Sequence, residues 1–154
     1  MKKTGVGVWL LGSVMMISAG GLYWNQSRAE VVRIPYDRPE MVALGRSVYE
    51  ANCSSCHGLN LEGEPNWRQR DASGLLPAPP HDASGHTWHH PDQMLFDLTK
   101  YGVQRFVGAD YRSKMPVFED VIADREIWAA LAYIKSTWPD EVIERHNSFD
   151  RAPR

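Results

Sequence analysis

Cys53-Ser54-Ser55-Cys56-His57 decides how this chain is read. Two thiols two residues apart can add to the two vinyl groups of one haem, and the histidine that follows at once is then held beneath the iron, where its imidazole can ligate. These are the only two cysteines among 154 residues, so every thiol in the chain belongs to the motif. A thioredoxin-like dithiol would want a strand before it and a βαβ context, whereas the residues upstream read as helix. A structural zinc site would want a second ligand pair, and no further cysteine supplies one. The expected chemistry is covalent attachment of one haem c through Cys53 and Cys56, with His57 as an axial ligand.

Upstream of the motif, Met41, Leu44, Val48 and Tyr49 recur at helical spacing and give one apolar face running into Cys53. Pro39 suits the first helical position. Gly45 shares that face with Tyr49; a glycine inside a helix costs up to about 1 kcal/mol against alanine, and close approach of another helix would explain it as well as a tolerated surface glycine would. Downstream, Gly58 to Pro91 is rich in Gly, Pro, Asn and Asp without a sustained period. So long a loop suits a compact domain only if it lies over a cofactor edge. A second helix is expected from about Pro91 to Tyr101, with Met94, Leu95 and Leu98 inward and Gly102 ending it. A third is expected from an Asp124 cap, with Ile127, Trp128, Leu131 and Ile134 as its apolar stripe and Pro139 barring continuation beyond Trp138. Residues 140–154 read as a polar tail without fixed structure, and no strand or internal repeat is evident.

Residues 1–24 read as a membrane anchor. Gly5 to Trp24 carries no charge, and its twenty residues would make a helix of about 30 Å, the thickness of a bilayer core. Tyr23 and Trp24 fall at an interfacial belt, and Lys2 and Lys3 favour a cytoplasmic N-terminus. The competing reading is a cleaved signal peptide, whose apolar region would be shorter, about 7–15 residues. Either way the haem domain is exported: anchored in the inner membrane and facing the periplasm on the first reading, soluble in the periplasm on the second. Residues 25–37 read as a linker and 38–139 as the haem domain.

The second axial position points to Met115, in Lys114-Met115-Pro116, within a loop between the second and third helices. A thioether stabilises ferrous iron and raises the reduction potential, and the following proline stiffens the loop that must hold so weak a ligand. A core methionine is the plainer reading and suits Met41 and Met94, which sit on helix faces. His81, His86, His89 and His90 crowd the long loop. They read as a solvated or propionate-bonded cluster, with a second metal site or haem ligation as alternatives. Trp67, Trp88, Arg68 and Arg70 are candidates to pack on the haem edge or bond its propionates.

Composition is that of an ordinary globular protein, 43% hydrophobic and 23% charged, with a net charge of −2 that marks no nucleic-acid binder. After residue 24 the balance is fifteen basic against nineteen acidic groups, which would steer the domain toward basic patches on a partner.

With these residues in place, the chain resembles the class I cytochromes c over roughly residues 38–138: Gly45-x-x-x-Tyr49-x-x-x-Cys53 leading into the haem motif, the methionine–proline loop, and Leu131-Ala132-Tyr133-Ile134 in a last helix. The resemblance implies an all-α fold of three main helices round one covalent haem. It also implies that the first and last helices cross near Gly45, with Ala130 and Tyr133 at the crossing. A proline carbonyl is implied against the second nitrogen of His57, from Pro77, Pro79 or Pro80. The chain departs from soluble members in its N-terminal anchor, histidine-rich loop and polar tail, and it lacks a lysine-rich face.

The function this predicts is one-electron transfer between redox protein partners, in a respiratory or dehydrogenase-linked chain at the membrane, by an electron carrier and not an enzyme. No side chain is needed as a general acid or base. Two alternatives stand beside it: a cytochrome subunit of a larger membrane oxidoreductase complex, and a haem sensor or metal-handling protein using an open iron or the histidine loop.

Overall fold

The computed structural model describes residues 33–108 and 110–149. All the helices and the one 3₁₀ turn among them fall in chain order: α1 Pro39–Asn52, α2 Ser54–His57, the 3₁₀ turn Thr87–His89, α3 Asp92–Tyr101, α4 Gln104–Val107, α5 Asp124–Ser136 and α6 Asp140–Phe149. No strand occurs among the described residues. The anchor or leader at 1–24 and the linker to residue 32 lie outside them. No helix among the described residues is long and apolar enough to cross a membrane.

α1 starts as its sequence dictates. Arg38 is extended, Pro39 occupies the first turn where no amide is missed, and Glu40 complements the helix dipole there. Met41, Gly45, Val48 and Tyr49 are buried, Met41 and Tyr49 sharing one core with Ile127, Leu131 and Ile134 of α5; large apolar side chains contribute about 1.5–3 kcal/mol each on full burial. α1 and α5 make the principal helix pair of the molecule. Gly45 is required at their crossing, since a β-carbon there would collide with the Ala129 carbonyl and press on Tyr133 Cβ. The close-approach reading of Gly45 holds, with the Ala129 carbonyl and the expected Tyr133 against it. Rings of Tyr49 and Tyr133 pack with centroids 5.5 Å apart beside it.

The start of α5 also differs from expectation. Asp124 is its first helical residue and not its cap; Ala123 holds the cap position, and its amide donates to the Glu126 carboxylate at 2.8 Å. Asp124 instead receives Lys100 Nζ from the end of α3 at 2.6 Å. On α3, Leu95 and Phe96 are buried while Met94 and Leu98 are only half-buried. Phe96 stacks on Trp128 of α5 at 4.6 Å. Gly102 ends α3 with φ +83°, as its position promised.

The larger correction is the C-terminus. Residues 140–149 are a helix, so a fourth long helix joins the expected three. Pro139 does stop α5, yet its carbonyl accepts the amides of Val142 and Ile143 and thereby opens α6. The helix is polar because its one fully buried side chain is His146, which carries no apolar periodicity to read. His146 Nε2 donates to the His90 carbonyl at 2.8 Å and lies 3.5 Å from Asp92 Oδ1. Asp92 and Lys135, each 1% exposed, form a buried ion pair at 3.3 Å. Asp92 Oδ2 also accepts the Ile34 amide at 2.8 Å, so one carboxylate ties together the chain ahead of α1, α3, α5 and α6.

Candidate functional site

Cys53 closes α1, its amide donating to the Tyr49 carbonyl, and its own carbonyl accepts the amides of Cys56 and His57 at 3.2 and 2.9 Å. That single turn, α2, gathers both thiols and the imidazole. Gly58 ends it at φ +80°, and Tyr49 Oη donates to the Gly58 carbonyl at 2.9 Å. Both thiols are free; Cys53 is half-buried and Cys56 exposed. Burial, then the neighbouring Cys56, pushes the Cys53 thiol up to about 11. A dithiol catalyst needs the opposite shift, toward thiolate.

His57 is 8% exposed. Its Nδ1 lies 2.8 Å from the Pro79 carbonyl oxygen. A carbonyl only accepts, so Nδ1 carries the proton and Nε2 is the bare nitrogen. This contact selects Pro79 from the three candidate prolines. Burial pulls the His57 imidazole below its ordinary range and so favours the neutral form that ligates metal, an effect the Pro79 bond partly offsets.

The loop after α2 doubles back to bring Pro79 there. The Gly63 amide donates to the His57 carbonyl at 2.8 Å, Glu64 and Ala78 exchange bonds at 2.9 and 2.6 Å, and the His81 amide donates to Leu61. Gly63, at φ +69°, allows the close pass, since a β-carbon would meet the Pro79–Pro80 backbone. His81 then lies flat on His57, ring centroids 4.0 Å apart and planes 23° apart. Burial, reinforced by His57 and His86, holds His81 well below the ordinary imidazole range. Sequence reasoning placed His81 in a solvated or propionate-bonded cluster; its place on His57 comes from the loop reversal, which no spacing signals.

Met115 is half-buried in the loop between α4 and α5, its amide 3.0 Å from Ser113 Oγ. Lys114 Nζ bonds Asp71 Oδ2 at 2.6 Å, and Arg112 donates to the Ser73 carbonyl at 2.8 Å, fastening this loop to the turn at 71–75. The Asp71 bond raises the Lys114 ammonium above its ordinary range. Phe106, Val107 and Val117, in the stretches flanking Met115, are exposed apolar side chains. A buried imidazole with a bare Nε2, carried on the same turn as two free thiols, fits covalent attachment and axial ligation of a haem.

The remaining candidate residues contact one another or nearby backbone. His86 stacks on Trp67 at 5.3 Å and meets His90 edge-on, while His89 stacks on Trp88 at 3.7 Å. Arg68 lies over Trp67 at 4.1 Å, and Arg70 donates to the Gly74 carbonyl. Among the described residues no group of three or more potential ligands could hold a metal ion, so the histidine density is met by ring stacking.

A family model described as Cytochrome c matches residues 42–138. A curated relative, the Cbb3-type cytochrome c oxidase subunit FixP of Sinorhizobium medicae, is 25% identical over 108 residues, which cover 70% of this chain and 34% of the relative. The chain thus matches about a third of that relative's length. No solved structure matches it.

Proposed function

Because the chain belongs to the cytochrome c family, we propose that it is a one-electron carrier at the periplasmic face of a membrane, with one haem c bonded through Cys53 and Cys56 and His57 and Met115 as axial ligands. Family membership itself carries haem-based electron transfer and covalent haem c. When bound, the haem supplies the reversible ferric/ferrous couple. His57 offers a neutral Nε2, and the Pro79 carbonyl fixes its tautomer and ring direction. Met115 offers a soft donor that favours the ferrous state. The two thiols, on the same turn as His57, would tether the group. The observation that carries the reading is the His57 Nδ1–Pro79 bond on the same helical turn as both cysteines.

The test is a redox titration of the haem-loaded full chain. A one-electron Nernst curve, with no carbon monoxide binding by the reduced form, is expected. Rapid carbon monoxide binding would instead favour the sensor reading, in which iron keeps an open position. Localisation is checked separately: a chain anchored by residues 5–24 stays with membranes through a salt wash, and one released by cleavage does not.

The oxidase-subunit relative favours a second reading, in which this haem domain relays electrons within a fixed membrane complex. Copurification of the full chain with an oxidase from detergent-solubilised membranes would support it, and migration alone would support the free shuttle.

A further inference from the structure

His81 is held on four sides. Its amide donates to the Leu61 carbonyl at 2.8 Å, and its carbonyl accepts Trp138 Nε1 at 2.7 Å. Its Nδ1 lies 2.8 Å from Thr87 Oγ1, on the 3₁₀ turn. Its ring meets Tyr49 edge-on at 6.3 Å. A side chain fixed by two backbone bonds, a hydroxyl and an aromatic edge is a rigid surface, and the surface it presents to His57 is a ring face at 4.0 Å.

The Pro79 bond and this stack constrain His57 in different directions. A hydrogen bond to Nδ1 acts in the plane of the imidazole and sets which way Nε2 points. A ring packed on the face acts along the normal and opposes tilt and libration out of that plane. With the hydrogen bond alone, the ring could still rock about the Nδ1–O axis. Aromatic contacts of this kind are worth about 0.5–1.5 kcal/mol beyond their buried area, and groups behind a ligand commonly tune a metal site as strongly as they stabilise it.

We propose that His81 is a positioning residue for the haem ligand His57: its stacked ring fixes the plane of the axial imidazole, and Thr87 and Trp138 fix His81. The inference rests on His57 being the axial ligand. It gives one histidine of the loop a role distinct from that of His86, His89 and His90.

The experiment compares the low-spin ferric electron paramagnetic resonance signal and the midpoint potential of the haem-loaded full chain with those of His81→Phe, His81→Ala and Thr87→Val. The largest g value reports the orientation and freedom of the axial imidazole plane, which a merely structural side chain would not move. His81→Ala should shift and broaden that feature and move the potential. His81→Phe, which keeps a ring face, should restore the wild-type position. Thr87→Val, which loosens His81 without opening a cavity, should shift the feature less and in the same direction as alanine, so the inference stands testable even if the alanine variant fails to load haem. A wild-type signal in both His81→Ala and Thr87→Val would overturn it. So would a phenylalanine variant displaced as far as alanine. If the wild type itself lacks a low-spin ferric signal, the ligation reading falls, and this inference with it.

Discussion

The two sides of the candidate haem site are built differently. His57 is buried on its turn, with the Pro79 carbonyl on its Nδ1, the His81 ring on its face, and Tyr49 of α1 bonded to the Gly58 carbonyl that ends the turn. Met115 sits in an irregular loop tied to its surroundings by a surface ion pair, an arginine bond and the Glu119 amide on the Lys100 carbonyl. One side is core, and the other is a latched loop. On the proposed ligation the imidazole belongs to the closely held side and the thioether to the latched loop, so damage to the two sides should differ in kind.

The largest expected effect is on the histidine side. His57→Ala should leave a chain that, even where haem attaches, lacks the low-spin spectrum and loses helical circular dichroism at a lower temperature than any methionine-loop variant. Next comes the scaffold behind it. Asp92→Ala strips a carboxylate from Lys135, His146 and the Ile34 amide; breaking a buried pair costs about 3–5 kcal/mol, readable in denaturant unfolding. Gly45→Ala forces α1 from the Ala129 carbonyl, at about 1–3 kcal/mol for an overpacked contact. Equal costs for Asp92→Ala and a substitution in the 71–75 turn would erase the contrast.

The smallest effect is expected at Asp71. Lys114 first, then Ser73 and Leu75, hold its carboxyl well below the usual carboxylate range. A depressed carboxylate contributes its stabilisation above its unfolded pKa, about 4, and loses it as pH falls through the lower folded value. The latch should therefore be intact at neutral pH and release only in acid. Asp71→Asn should remove that acid step from the methionine-loop spectrum while barely changing global unfolding, because both partners are partly exposed and screened.

How far the sequence reached follows the same division. Apolar periodicity made α1, α3 and α5 legible, and fixed spacing made Cys53, Cys56 and His57 legible. α6 was missed because its buried face is His146 rather than a leucine stripe. The Asp92–Lys135 pair was missed because charged residues on helices ordinarily signal solvent. Pro79 could not be chosen from Pro77, Pro79 and Pro80, since the choice depends on a loop reversal at Gly63 and not on spacing. His81 was hidden for the same reason, two residues further on.

The most direct test of His57–Met115 ligation is the weak far-red charge-transfer band of the oxidised, haem-loaded protein. The account predicts that the full chain has the band and that Met115→Ala abolishes it, opens the iron to carbon monoxide on reduction, and leaves covalent haem attachment intact. A band missing from the wild type, or surviving in Met115→Ala, would contradict it.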